Sequence, residues 1–146
     1  MTPLKLAALD ATDLAVLSAH LQDALGKVSD IDYRAGAHEF ALALNRFAWE
    51  AKGGGFFRPA KPERRRTILQ FARVMSVKTV GIDRTKGEDV LSLLALRFHP
   101  GEAPAGTVEL VFSGNAAIRL EVECIEARLA DLGGAWEAAS RPVHRV

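Results

Sequence analysis

The sequence predicts an α+β fold: a mostly antiparallel sheet of about six or seven strands, strongly curved or barrel-like, with one helix near each end. Three observations predict it. Over residues 107–132 the apolar period changes from two to that of a helix, so a β-hairpin runs into an amphipathic segment. Residues 4–25 pass in the same way from a short alternating stretch to a helical stripe. Between them lie long apolar runs punctuated by glycine and proline, as strands separated by turns are.

The elements follow in order. Leu4, Leu6 and Ala8 mark a first strand. Asp10, with Asp13 three residues on, offers a carboxylate to the free amides of a helix start. Leu14, Leu17, Leu21 and Leu25 form the stripe of a helix over about 11–24, with Gly26 as its stop. From Lys27 to Trp49 the pattern turns to β, with Phe40, Leu42 and Leu44 alternating and a turn at Arg34–Ala37. Three glycines and two prolines make 52–62 a loop unable to continue a ladder. Residues 64–82 read as one long, bent or bulged strand, because Val74, Met75 and Val77 break the alternation set by Leu69 and Phe71.

Asp83–Glu88 is a polar turn, and Val90–Phe98 reads as a strand buried on both faces. Val108, Leu110 and Phe112, the turn Ser113-Gly114-Asn115, and Ile118, Leu120 and Val122 form the last hairpin. The spacing Val122, Ile125, Leu129, Leu132 then predicts a C-terminal helix. Trp136 is expected to fold back on the core, with 135–146 only partly ordered. A capping helix after the final hairpin makes a pleckstrin-homology-like barrel the nearest named architecture, an analogy that carries no function.

With 146 residues, one domain is expected, large enough to bury a core without staples. Nineteen basic against 18 acidic residues give a net charge of +1, which supplies no global field for nucleic acid or an anionic membrane. The lone Cys124 excludes an intramolecular disulfide and fits a reducing compartment. With Glu123 and Glu126 near it in sequence, it reads as a small buried apolar residue rather than a nucleophile. The N-terminus has no signal-peptide pattern, and no run approaches a membrane span, so a cytoplasmic protein is expected.

Several stretches resemble the bacterial domain-of-unknown-function family 2948: Asn45-Arg46-Phe47-Ala48-Trp49-Glu50, the triplet Arg64-Arg65-Arg66, residues 98–107, residues 118–129 and, nearer the start, 18–24. The resemblance covers nearly the whole chain. It implies a small cytoplasmic bacterial protein and brings with it no catalytic residues.

Each candidate site also has a plainer role. Arg64, Arg66 and Arg73 belong to the densest basic cluster and are candidates for an anion or an acidic partner; the plainer role is a solubilising strand start. In a strand Arg64 and Arg66 share a face and Arg65 does not. Gly53-Gly54-Gly55 lacks the Lys-Ser/Thr of a phosphate-cradling loop. Phe56 and Phe57 on that loop are candidate partner anchors, or else they cover the core. His20, with Asp23 three residues on, His99 beside Pro100, and Glu121, which shares a strand face with Arg119 and Glu123, are candidate pocket groups; each also reads as an ordinary surface residue. The four histidines show no metal-ligand spacing, so no metal and no cofactor is expected.

The leading expectation is therefore a non-catalytic module that binds another cytoplasmic protein. An unprotected sheet edge or an exposed apolar patch would favour it. The alternative is an enzyme or small-ligand protein using His99, Arg66, Glu121 or His20, which requires those groups to converge. Nucleic-acid binding through the arginines is the weakest reading, and the sequence does not set the oligomeric state.

Overall fold

The computed structural model describes residues 3–48 and 63–132. The first strand, β1 (Lys5–Ala8), is where the sequence puts it, and Asp10 caps helix α1 (Ala11–Leu21) by accepting a 2.7 Å hydrogen bond from the Asp13 amide. Leu14, Leu17 and Leu21 are buried, as the stripe requires. Asp10→Ala is expected to cost about 0.5–2 kcal/mol in urea unfolding, the usual loss for an exposed cap.

The helix ends at Leu21, short of the expected residue 24, and the reason is tertiary. The Asp23 amide donates to Leu93 O and the Leu93 amide to Ala24 O, both at 2.8 Å, so the backbone is taken into a sheet. Gly26 is accordingly not a helix stop. It sits in β2 (Leu25–Lys27), where an added Cβ would lie 2.9 Å from the carbonyl oxygen of Ala43. Only glycine lets the two backbones approach this closely.

A 3₁₀ turn over Val28–Asp30 leads to β3 (Ile31–Arg34), and a second over Ala35–Ala37 leads to β4 (Glu39–Ala48). Along β4 every second residue is buried: Phe40, Leu42, Leu44, Arg46 and Ala48. The long bent strand is observed as β5 (Glu63–Phe71) and β6 (Val74–Val80), joined through Ala72 and Arg73, with a register irregularity between Val74 and Ser76.

β7 (Val90–Pro100) is a strand, as expected, but it is not buried on both faces. Val90 is 61% exposed and Leu94 43% exposed. A register shift between Leu93 and Ala95 moves the buried set from Leu91 and Leu93 to Leu96, so the near-continuous apolar run serves two phases of one bulged strand. The final hairpin is β8 (Gly106–Phe112) and β9 (Ala116–Val122), with Gly114 and Asn115 at positive φ in its turn.

The expected C-terminal helix over 122–132 is not there. After a bend at 123–126 the chain forms a further strand, β10 (Ala127–Asp131), with Ala127, Leu129 and Asp131 buried and Arg128 exposed. A bend between two alternating strands placed Val122, Ile125 and Leu129 at spacings that imitate a helix. The pleckstrin-homology-like analogy thus loses the helix that suggested it within these residues. Trp136 and the tail, and the 52–62 loop, lie outside the described residues.

The strands form one antiparallel sheet in the order β1-β10-β5-β4-β2-β7-β8-β9-β6, with β3 also on β4, so the described residues hold ten strands rather than six or seven. The β5–β6 and β9–β10 bends lie side by side: the Ala72 amide donates to Glu126 O and the Glu123 amide to Arg73 O. The sheet therefore turns a corner along this ribbon. A single buried cluster joins α1 to strands of both parts of the sheet. Among the described residues, no helix is long and apolar enough to cross a membrane.

Candidate functional site

Three places carry the polar chemistry of the described residues: the outer face ending at β6, a cleft beside β2, and a buried ion pair.

On the outer face, register aligns Arg97, Glu109, Arg119 and Lys78 in one row across β7, β8, β9 and β6. Glu109 Oε1 lies 2.9 Å from His99 Nε2, and its other oxygen accepts from Arg119 Nε at 3.4 Å. The His99 hydrogen bond first, and then Arg119, hold the Glu109 carboxyl below its usual range, against the opposing effect of partial burial. In the next row the Thr107 hydroxyl donates to Glu121, 2.9 Å from Oε2. The row thus sets three cations against one carboxylate. Its last member, Lys78, is exposed and makes no ion pair among the described residues.

β6 forms one end of the sheet and pairs only with β9 among the described residues. Its start is pinned by a hydrogen bond from the Val74 amide to His38 O. Beyond that point Met75 and Val80 are 46% and 44% exposed. Elsewhere a free edge position is covered: where β7 runs past β2, the Leu96 amide donates to Ser18 Oγ of α1 at 3.0 Å. The opposite end of the sheet, β1, is only four residues long.

The cleft lies beside β2, which shares one register pair with β4, Leu25–Asn45, and pairs with β7 through Val90. It has a volume of about 320 Å³. Arg66 faces it from β5, with Nη2 3.4 Å from Asp30 Oδ1 and Nη1 3.5 Å from Asn45 Oδ1. Asp30 Oδ2 accepts from the Lys27 amide at 3.0 Å, which fixes the carboxylate. Lys27 Nζ donates to Glu88 at 2.8 Å, and that hydrogen bond raises the Lys27 pKa. Leu25 and Val90 form an apolar wall. A second hollow, along Asp32, Arg34, Gln70 and Arg128, has only about 80 Å³.

The buried pair was not anticipated. Arg46 donates from Nε and Nη2 to the two oxygens of Asp131, at 2.9 and 2.8 Å, and both side chains are 2% exposed. The Leu4 amide donates to Asp131 Oδ2 at 2.9 Å, which ties β1 to the pair. One signal was present in the sequence: Arg46 continues the buried phase of Phe40, Leu42 and Leu44.

The candidates named from sequence do not converge. Arg64 is exposed; its guanidinium lies 4.0 Å from the Phe47 ring centroid and donates to Asn45 O at 3.3 Å. It shares the outer face of β5 with Arg66, as expected. Arg73, at φ 59°, sits at the corner and pairs with Glu126 at 3.2 Å and Glu123 at 3.6 Å. His20 lies in the last turn of α1 with no hydrogen bond to Asp23 among the described residues. His99 and Glu121 lie in one row, separated by Thr107, on the far part of the sheet from Arg66. Glu123 falls in the bend, past the strand that carries Arg119 and Glu121. Phe56 and Phe57 lie outside the described residues. Cys124 is half-buried rather than buried. No group of three or more metal-ligating side chains occurs among the described residues.

No curated protein and no solved structure matches this chain. The family model described as "Protein of unknown function (DUF2948)" matches residues 4–144, and the chain, as its motifs suggested, belongs to that family.

Proposed function

We propose that this protein is a non-catalytic binding module that takes an extended segment of another cytoplasmic protein as an added strand on β6. The observation that carries this reading is the edge itself. β6 is seven residues long and has no partner beyond β9 among the described residues, whereas other edge positions are short or capped. An added strand gains main-chain hydrogen bonds along such an edge, and alternate side chains supply the selectivity.

The charge row selects the occupant. Lys78 stands beside Arg119 with no carboxylate of its own among the described residues, so the position across from it suits an acidic side chain. The same lysine disfavours pairing two copies of β6 through their centres, because like charges would meet. Val77 and Thr79, which flank Lys78 on the opposite face, suit apolar or β-branched neighbours.

A charge swap tests the proposal. A peptide of alternating valine and glutamate, titrated into ¹⁵N-labelled protein, is expected to shift and slow the exchange of β6 amides. Lys78→Glu is expected to weaken that peptide roughly tenfold and to favour its lysine counterpart, a change of about 1.4 kcal/mol. Binding that ignores Lys78→Glu, or leaves the β6 amides unprotected, would overturn the reading.

A further inference from the structure

We infer that the cleft between β2 and β4 binds a small zwitterion, with its carboxylate on Arg66 and its ammonium group on Asp30. The inference is independent of the β6 reading, since the cleft lies on another part of the sheet.

Size comes first. About 320 Å³ falls at the small end of ligand-site volumes, which suits a small metabolite. Charge comes second. The lining holds two cations, Lys27 and Arg66, and one carboxylate, Asp30; Glu88 occupies Lys27 from outside. Each cation is thus matched by one carboxylate. A phosphate or a dicarboxylate would meet Asp30 with no surplus positive field, whereas a neutral molecule carrying both charges finds a partner for each.

Geometry comes third. The Arg66–Asp30 contact is long, 3.4 Å, against 2.8 Å for the fully engaged Arg46–Asp131 pair. Arg66 is 40% exposed and Asp30 20% exposed, so both present donor or acceptor capacity to the cleft. A guanidinium is a planar fork suited to a carboxylate, and Asp30, held by the Lys27 amide, is fixed as an acceptor. Leu25 and Val90 beside them fit a short aliphatic group. An α-amino acid with a small apolar side chain carries all three features.

The test uses four probes on the intact protein: L-valine, isobutyrate, isobutylamine and inorganic phosphate. Binding is read by calorimetry and by amide shifts at Lys27, Asp30 and Arg66. L-valine is expected to bind roughly tenfold or more tightly than either half-molecule, with no competition from phosphate. Arg66→Gln and Asp30→Asn should each weaken valine by a similar factor with unchanged melting temperature. Val90→Asp, at an exposed position of the lining, should also weaken it. If phosphate or isobutyrate binds as tightly as valine, and Asp30→Asn strengthens them, the cleft is an anion site and the inference fails. It fails too if no probe shifts these amides at roughly 10 mM.

Discussion

Asp131→Asn is expected to destabilise the protein by about 3–5 kcal/mol, the cost of removing one charge of a buried ion pair. Arg46 and Asp131 are both 2% exposed and joined by two hydrogen bonds, so water cannot replace the lost carboxylate. The variant also weakens the acceptor for the Leu4 amide, so hydrogen exchange should rise first in β1. Arg46→Ala should fall in the same range, since it removes the other charge. The double variant Arg46→Met with Asp131→Leu should recover much of the loss, because removing both charges removes both desolvation penalties. Urea unfolding of the four proteins measures these differences, and Arg46→Met and Asp131→Leu made singly complete the cycle. Single variants within 1 kcal/mol of wild type would show that the pair does not bear on stability.

The same pair sets an acid limit. Burial pushes the Asp131 carboxyl up, but the Arg46 hydrogen bonds, the Leu4 amide and the Arg46 charge together outweigh it, and the net displacement is downward. A depressed folded pKa means that the native state holds fewer protons than the unfolded chain. The stabilisation is therefore complete above the unfolded value of about 3.9 and is lost as pH falls through the folded one. Asp131→Asn should flatten the stability profile in that acid window and leave its shape near neutrality unchanged.

Phe71→Ala is expected to cost about 3–5 kcal/mol, the range for truncating a fully buried phenylalanine. Phe71 is 1% exposed at the end of β5, where the sheet turns into β6. Its register partners are Phe40 on β4 and Ala127 on β10, so the ring joins three strands at the corner. Gln70, next in the chain but exposed, should tolerate alanine within about 0.5 kcal/mol. If the two substitutions cost the same, the ring does not bear on the corner. Because Ala127 opposes Phe71 only when 127–131 is a strand, the Phe71 variant should also speed amide exchange along β10.

How much of this was legible in the sequence follows from the range of the forces involved. The Asp10 cap, the Leu14–Leu17–Leu21 face, the Ser113–Asn115 turn and the alternation of β4, β8 and β9 are set by neighbours within a few residues, and all were readable. Where a helix and a bent strand place apolar residues at the same spacing, the sequence was ambiguous. The stretch 122–132 became strand because Phe71, Leu69 and Thr67 on β5 offer it a ladder, and only the assembled sheet provides one.

The sites divide along the same line. Local pattern and composition suffice for an α+β chain with an N-terminal helix, a long bent strand, a closing hairpin, no intramolecular disulfide and near-neutral charge. Strand alternation also puts Arg64 and Arg66 on one face. Long-range pairing is what makes Arg46 meet Asp131 across 85 positions, sets the cleft beside β2 in front of Arg66, and leaves β6 at the end of the sheet with Lys78 unpaired among the described residues. Local periodicity fixes which way a side chain faces. Long-range pairing alone fixes what it faces, because partners far apart in sequence leave no periodic trace in either segment.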